Sequence, residues 1–257
     1  MSYENITYEV SAAVATLTLN RPKVLNALAA PILREALEAV ERTRDEGTAR
    51  VLVLTGSGRA FCAGADLGGS LSADAGKALE EFYNPLVERL LALPMPVISA
   101  VNGPAVGAGC SLALTGDFVI AARSAYFLQA FVNIGLVPDA GSTWMLPRLI
   151  GRARGLAMMM LGERIPAGQA EQWGLIYRAV EDGELQSATQ ALAHRLAAGP
   201  TSTYAMIRQG VHYGLEHSLT ETLRLERFNQ LRAGRGADFA EGVAAFRGKR
   251  PARFTGK

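Results

Sequence analysis

The chain has little cysteine, few aromatic residues and almost no net charge. Its 257 residues include two cysteines and 7% aromatic residues, and the formal net charge is +2. Two thiols exclude a scaffold built on several disulfides and favour a reducing compartment. Lys and Arg are scattered along the chain, so the charge pattern gives no footprint for nucleic acid.

Long apolar runs and a leader pattern are also lacking. No apolar run approaches the roughly 20 residues that a bilayer-spanning helix needs, and Pro94 and Pro96 interrupt the apolar stretch near Leu91. The first ten residues carry acids where a signal peptide has basic and apolar segments. We therefore expect a cytoplasmic protein with no membrane partner, whose 49% hydrophobic content can build a large core.

Two glycine-rich turns each follow a stretch typical of a buried strand. Residues 50–55 precede the turn at 56–66, and residues 97–101 precede a turn with Gly103, Gly107 and Gly109. Such turns leave backbone N–H groups without partners. Either turn alone is more simply an ordinary turn, but two strand ends with free N–H groups are what a two-donor oxyanion hole requires.

Other glycine motifs do not fit. The second turn lacks the spacing of a dinucleotide-binding G-x-G-x-x-G, and no Gly-Lys-Ser/Thr of a phosphate loop is present. The G-x-S-x-G of serine hydrolases is absent as well.

Strand and helix patterns alternate until about residue 180, and only helical patterns follow Gly183. Strands are predicted at residues 6–10, 14–19, 51–55, 97–101, 117–122, 125–129 and 175–180. Helices are predicted at residues 30–46, 75–93, 145–150, 152–161, 167–173, 184–198, 203–213, 219–232 and 239–246, with a mobile Gly/Ser-rich loop at 67–74. This order predicts an α/β fold with a helical carboxyl-terminal region.

Asp139 is the carboxyl most suited to acid–base chemistry. It lies among Val137, Pro138 and Ala140, so desolvation could raise its pKa towards neutrality. The alternative is a helix N-cap before Ser142, and the loop considered alone favours the cap. Both cysteines lie in the glycine turns, where a buried and inert thiol is expected.

Three motifs in combination resemble the crotonase, or enoyl-CoA hydratase/isomerase, superfamily, and the similarity runs almost end to end. They are residues 59–66 (RAFCAGAD), residues 100–109 (AVNGPAVGAG) and residues 135–141 (GLVPDAG). The resemblance implies an α/β, crotonase-like spiral of ββα units over residues 1–195. It also implies a helical region over residues 196–257 for oligomerisation and active-site cover, in a homotrimer or a dimer of trimers.

The resemblance further implies an acyl-CoA thioester substrate, with coenzyme A as part of the substrate and no separate cofactor or metal. The backbone N–H groups of Ala65 and Ala108 would hold the thioester oxygen and stabilise an enolate. The two glutamates of hydratases align with Ser111 and Phe131, so hydration should be weak or absent. Asp139 occupies the position that isomerases of this superfamily use, which favours acid–base catalysis over the cap.

Within the superfamily, the chain looks most like the ring 1,2-epoxyphenylacetyl-CoA isomerases of phenylacetate breakdown, through residues 82–86, 134–139 and 143–148. Such enzymes convert the ring epoxide to oxepin-CoA and shift a 3-enoyl-CoA to a 2-enoyl-CoA. Ala108 and Ser142 stand where the family pattern has glycine. If position 142 needs a positive φ, the loop that carries Asp139 would be displaced.

The resemblance also points to substrate-binding residues, of which Lys23 would reach a phosphate and Phe246 and Lys249 would act from a neighbouring subunit. The full set is Lys23, Ala27, Ala63, Asp66, Leu67, Tyr83, Ser111, Phe131, Phe246 and Lys249. The alternatives are a catalytically silent acyl-CoA-binding subunit and a generic enoyl-CoA isomerase or hydratase of fatty-acid oxidation. A dehalogenase of the 4-chlorobenzoyl-CoA type would need a histidine in the helix at residues 75–93, which has none.

Overall fold

A computed structural model describes residues 3–68 and 75–257. The predicted mobile loop at 67–74 lies mostly outside the described residues. The described residues form nine strands: β1 (Ile6–Ser11), β2 (Val14–Leu19), β3 (Val51–Gly56), β4 (Val97–Val101), β5 (Ala105–Val106), β6 (Phe118–Ala122), β7 (Tyr126–Leu128), β8 (Ile165–Pro166) and β9 (Arg178–Val180). The helices are α1 (Ala30–Glu46), α2 (Ala75–Ala78), α3 (Asn84–Ala92), α4 (Ala108–Ala113), α5 (Ser142–Leu161), α6 (Ala167–Trp173), α7 (Leu185–Ala197), α8 (Thr201–Gly214), α9 (Leu219–Gly234) and α10 (Ala237–Arg247).

The main sheet has six strands in the order β1-β2-β3-β4-β6-β9. β1 pairs antiparallel with β2, and the other neighbours pair parallel. β4 is buried along its whole length, as its continuous apolar sequence predicts. Since parallel strands end at one edge of the sheet, the two glycine turns that follow β3 and β4 lie side by side there.

A second, small sheet has the order β5-β7-β8. β5 and β8 are two residues each and were not predicted, because so short a strand shows no periodicity. This sheet extends the second glycine turn, since Gly107 donates its N–H to Leu128 O over 2.7 Å.

Two helical predictions differ from the structure in detail. Residues 75–93 are helical but not one regular helix, because a π-helical turn at Leu79–Tyr83 separates α2 from α3, which has Pro85 in its first turn. The helices predicted at 145–150 and 152–161 are joined in α5, which is kinked at Gly151 (φ 76°, ψ 162°).

The carboxyl-terminal helices are held at the amino-terminal edge of the sheet. Arg208 of α8 donates from Nε to Asp117 Oδ1 over 2.7 Å, just before β6. Arg50, just before β3, donates from Nε to Thr201 Oγ1 over 2.8 Å and from Nη1 to Phe254 O over 3.2 Å. These contacts hold α8 and the chain terminus at the edge opposite the glycine turns. Among the described residues, no helix is long and apolar enough to cross a membrane.

Candidate functional site

The two glycine turns are joined by a parallel bridge. Cys62 donates its N–H to Pro104 O over 3.1 Å, and Val106 donates its N–H to Cys62 O over 2.9 Å. Further along, a Cβ built at Gly64 would lie 3.7 Å from Ala108 N, so the residue before Ala65 lies against the start of α4. The structure therefore brings together the two backbone donors that the sequence suggested.

Two glycines allow the turns to approach this closely. A Cβ at Gly64, where φ is 90°, would lie 2.7 Å from Val106 O. A Cβ at Gly109 would lie 2.5 Å from Cys62 O. Neither position can hold a side chain without separating the two turns.

The N–H groups of Ala65 and Ala108 have no acceptor in the described part of the chain. On one side of the first turn, Leu28 donates to Gly64 O over 2.7 Å and Asp66 donates to Leu28 O over 2.9 Å. This pairing leaves the Ala65 N–H directed to the other side. Ala108 is the first residue of α4, where an N–H has no partner inside the helix. Two free donors at one place can hold an oxygen on which negative charge develops.

An Arg21–Asp66 ion pair joins the loop at residues 21–28 to the first turn. Arg21 Nη1 donates to Asp66 Oδ2 over 2.9 Å and to Ala27 O over 2.6 Å, while Gly68 N donates to Asp66 Oδ1 over 3.1 Å. The hydrogen bond from Arg21 is the main cause that lowers the pKa of Asp66. This carboxylate is therefore ionised and already paired, which makes it a poor proton acceptor near neutral pH.

The environment of the Asp139 carboxyl differs from that of Asp66. Its Oδ1 is buried and has no hydrogen-bond partner in the described part of the chain. Burial raises the pKa of Asp139 to about 6. The two carboxyls near the turns thus have pKa values pushed apart, and Asp139 is the one that can take and return a proton at neutral pH.

The N-cap alternative for Asp139 is wrong. α5 has Gly141 as its N-cap residue, and no side chain caps it. Ser142 N instead donates to the backbone carbonyl of Asp139 over 3.0 Å. The positive φ values of this loop belong to Ala140 (49°) and Gly141 (84°), while Ser142 begins α5, so a serine is compatible with this position.

Ser111 connects the Asp139 loop to α4. It is fully buried, and its Oγ lies 3.1 Å from Asp139 O and 2.5 Å from Ser142 Oγ. The sequence suggested that Ser111 contacts substrate, and in the structure its hydroxyl also lies 3.3 Å from Gly107 O. Its geometry is that of a residue that positions Asp139.

Two aromatic side chains stand close to this group. Tyr83 is buried and donates its hydroxyl to Leu28 O over 3.3 Å. The pKa of Tyr83 is raised by burial first and then by the negative charge of Asp139, with smaller contributions from Cys62 and Asp66. Phe131 is also buried, and a Cβ at Gly107 would lie 3.8 Å from Phe131 Cζ. Phe131 therefore places a phenyl ring beside the second turn.

The remaining predicted residues divide into two groups. Ala27, Ala63 and Leu67 belong to the paired segments around the Ala65 donor, and exposed Lys23 lies in a short 3₁₀ turn of the same loop. Phe246 is 86% exposed, and Lys249 follows α10, which packs on α9. No recorded contact in the described part of the chain links these last two residues to the glycine turns.

Known proteins place this architecture in a family. The model of the enoyl-CoA hydratase/isomerase family matches residues 9–257. The chain belongs to the enoyl-CoA hydratase/isomerase, or crotonase, family. A Rhodobacter capsulatus protein named probable enoyl-CoA hydratase is 48% identical over 259 residues and covers 100% of both chains. An Escherichia coli 1,2-epoxyphenylacetyl-CoA isomerase is 47% identical over 260 residues and covers 99% of both.

The crotonase fold is confirmed by solved structures. The crystal structure of an enoyl-CoA hydratase from Bacillus anthracis superposes with a TM-score of 0.95 at 31% identity, covering 99% of this chain and 100% of that chain. The relatives of this crotonase-family chain include a named isomerase and a named hydratase, so the relatives' names alone do not choose the reaction. The side chains at the site are therefore the basis for choosing between isomerisation and hydration.

Sequence reasoning missed two residues that shape this crotonase-family site. Asn26 is fully buried with φ 57°, its Nδ2 donates to Ser57 O and Ala60 O over 2.9 Å each, and its Oδ1 accepts from Arg21 N over 2.9 Å. Gln129 is also fully buried, and its Oε1 accepts from a serine hydroxyl. Both contacts join segments far apart in sequence, and no local motif marks them.

Both thiols of this crotonase-family chain are buried within the glycine turns, and no histidine lies in either turn. This burial was predicted, and it raises the pKa of Cys62 and of Cys110 to about 12, as expected for an unreactive thiol. His194, His212 and His217 lie on or just beyond α7 and α8. In residues 3–68 and 75–257, no group of three His, Cys, Asp or Glu side chains could hold a metal ion.

Proposed function

We propose that this chain is an acyl-CoA isomerase that forms a thioester enolate, with Asp139 as its acid–base residue. The observation that carries the proposal is the Asp139 carboxyl, whose Oδ1 is buried with no hydrogen-bond partner among residues 3–68 and 75–257 and whose pKa is raised to about 6. Its loop is bonded through Ser111 to the same helix that begins with the free Ala108 N–H.

The chemistry follows from this arrangement. The thioester oxygen accepts hydrogen bonds from the N–H groups of Ala65 and Ala108, and ionised Asp139 removes a proton from the α carbon. The electron pair of that C–H bond moves into the enolate, whose oxygen is held by the two donors. In the double-bond shift, Asp139 returns the proton two carbons along, so a 3-enoyl-CoA becomes a 2-enoyl-CoA. Substrate and product have the same atoms, so the reaction needs no co-reactant.

The side chains argue against hydration as the main reaction. A hydroxyl and a phenyl group occupy positions 111 and 131, where the resemblance would place the hydratase glutamates. Both residues are buried, and Ser111 already contacts protein acceptors. Asp66, the other carboxylate near the turns, is paired with Arg21. One acid–base carboxyl suits proton transfer between carbons better than the addition of water.

For the substrate, we propose ring 1,2-epoxyphenylacetyl-CoA, converted to oxepin-CoA in phenylacetate degradation, together with linear 3-enoyl-CoA. Full-length similarity to the Escherichia coli isomerase supports this choice. The CoA moiety would lie along Ala63, Asp66 and Leu67, with Lys23 reaching a phosphate.

We also propose a homotrimer or a dimer of trimers in the cytoplasm, assembled through the carboxyl-terminal helices. Leu219 at the start of α9 is 74% exposed, and Phe246 on α10 is 86% exposed. Exposed apolar side chains of this size suit a subunit interface. In such an assembly, Phe246 and Lys249 would contact the CoA bound to a neighbouring copy.

The test compares wild type with Asp139→Asn on both substrates, with hydration and exchange of the α proton into D₂O followed in parallel. Because proton transfer by a positioned side chain contributes about 10²- to 10⁴-fold, the variant should lose at least 100-fold in kcat while it still binds CoA esters. Asp45→Asn, at an exposed carboxylate near the end of α1, is the matched control and should retain full activity.

Two results would overturn the proposal. A wild-type protein that binds acyl-CoA without exchanging the α proton would be a silent binding subunit. A wild-type protein that hydrates 2-enoyl-CoA faster than it isomerises 3-enoyl-CoA would be a hydratase of the fatty-acid oxidation type.

A further inference from the structure

Three fully buried polar side chains from separate segments meet behind Asp139. Ser111 comes from α4, Ser142 begins α5, and Gln129 precedes the 3₁₀ turn at Ala130–Ile134. All three have 0% exposure. Ser142 Oγ lies 2.5 Å from Ser111 Oγ and 3.2 Å from Gln129 Oε1. Such a group is energetically unfavourable in a core unless its hydrogen bonds are satisfied.

The number of hydrogens available to these three side chains determines the direction of hydrogen-bond donation among them. Each serine hydroxyl donates once, and the Gln129 Nε2 amide nitrogen has no acceptor in the described part of the chain. The oxygen and nitrogen of a glutamine amide are interchangeable by a half-turn of the side chain. With the amide turned, Gln129 donates to Ser142, Ser142 donates to Ser111, and Ser111 donates to the carbonyl of Asp139 over 3.1 Å, which is the shorter of its two backbone contacts, the other being Gly107 O at 3.3 Å. Every hydroxyl then donates and accepts once.

The end of this chain of hydrogen bonds is the residue that does the chemistry. We propose that Ser111 and Ser142 are positioning residues, which fix the Asp139 loop against α4 and so set the distance from its carboxyl to the Ala108 N–H. The inference rests on the proposed function, because that distance matters only if one enolate spans both groups. The α carbon and the thioester carbonyl are directly bonded, so base and donor must keep a fixed separation.

The loop itself needs such a restraint. Ala140, next to Asp139, has φ 49°, which is unfavourable for a residue with a Cβ, and Gly141 follows with φ 84°. The Asp139 carboxyl makes no recorded hydrogen bond in the described part of the chain, so contacts to the loop backbone must hold it in place. The Ser111 hydroxyl and the Ser142 backbone N–H both donate to the same carbonyl oxygen of Asp139.

The experiment measures Ser111→Ala, Ser142→Ala and the double variant in the 3-enoyl-CoA isomerisation assay. Since a misplacement of about 1 Å can lower a rate about 100-fold, each single variant should lose about 10- to 100-fold in kcat. KM should stay within about threefold, because the N–H donors are intact. The double variant should be no slower than the slower single variant, because either change breaks the same chain.

The pH profile and a matched control separate positioning from general packing. A loosened loop exposes the Asp139 carboxyl to water, so the acidic limb of the kcat profile should move to lower pH in both single variants. Tyr83, whose pKa the Asp139 charge raises, is unchanged in all variants. Ser99→Ala is the control, because Ser99 has 0% exposure and its hydroxyl has no partner in the described residues. It should leave kcat and the pH profile unchanged.

The outcomes distinguish this inference from the proposed function. An inactive wild type defeats the proposed function itself. An active wild type whose Ser111→Ala and Ser142→Ala variants keep kcat within about twofold defeats only the positioning role. If Ser111→Ala does not fold, Ser142→Ala carries the test, since alanine is well suited to the first turn of a helix. A loss of kcat in Ser99→Ala equal to that of the serine pair would also overturn the inference.

Discussion

Replacing Asp139 by asparagine is expected to stabilise the protein at neutral pH while it removes catalysis. Burial raises the pKa of this carboxyl from 3.8 to about 6. A shift of this size corresponds to about 3 kcal/mol of unfavourable free energy for holding the carboxylate in the folded protein. Asparagine has a similar shape and carries no charge, so it removes this cost.

The effect has a defined pH window. A carboxyl whose pKa is raised by folding favours the folded state fully below its unfolded pKa, near 3.8, and loses that contribution as pH rises through about 6. The variant does not titrate at this position. Its free energy of unfolding should therefore match wild type near pH 4 and exceed it by about 1 to 3 kcal/mol at pH 7, after allowance for water near the carboxyl.

The assay is urea unfolding of both proteins between pH 4 and pH 8. Asp66→Asn is a control of opposite sign, because the pKa of Asp66 is lowered by its hydrogen bond with Arg21. Its stabilisation is present above the unfolded pKa and is lost as pH falls through the lowered folded pKa. Asp66→Asn should thus be less stable at pH 7, by at most about 1 kcal/mol for so exposed a pair. An Asp139→Asn stability difference that does not vary with pH would refute a desolvated carboxyl.

Three further predictions concern the turns. Ala108→Pro removes one N–H donor at the first position of a helix, where proline is tolerated. The value of kcat/KM should therefore fall by about 100-fold or more, while the circular dichroism spectrum is unchanged. Retained activity would exclude Ala108 as a donor. Asn26→Ala leaves buried carbonyls without a donor and should lower the free energy of unfolding by about 3 kcal/mol in urea, whereas a loss near zero would show that water replaces the amide. Cys62 and Cys110, with pKa values of about 12, should not react with a disulfide reagent at pH 8 until the protein is unfolded, and fast reaction in the native state would contradict their burial.

Local pattern was sufficient for most of the elements. The hydrophobic spacing at residues 30–46 and the glycine after it predicted α1 with the bounds that the structure shows. The alternating residues of the first two strands and the apolar run of β4 likewise gave their strands. These features depend on which face of a helix or strand is buried, and a sequence records that face directly. The π-helical turn at Leu79–Tyr83 was not predicted, because the hydrophobic spacing of the sequence remains helical across it.

The sequence by itself determined which groups could act. It supplied two glycine turns with free donors, a carboxyl at Asp139 among apolar neighbours, and the motifs of the crotonase family. It left the role of Asp139 divided between a helix cap and an acid–base residue until the resemblance was added. Residue types and spacings carry this information because chemistry belongs to the side chain.

Only the tertiary structure decided how those groups are related in space. The bridge at Cys62 brings the two glycine turns together, Arg21 pairs with Asp66, and Asp139 Oδ1 has no hydrogen-bond partner among the residues that the structure describes. Burial and pairing are properties of the packed chain, and they give the two carboxyls opposite pKa shifts. For the same reason the hydroxyl chain behind Asp139 has no local signature, since its members are brought together only when the helices pack.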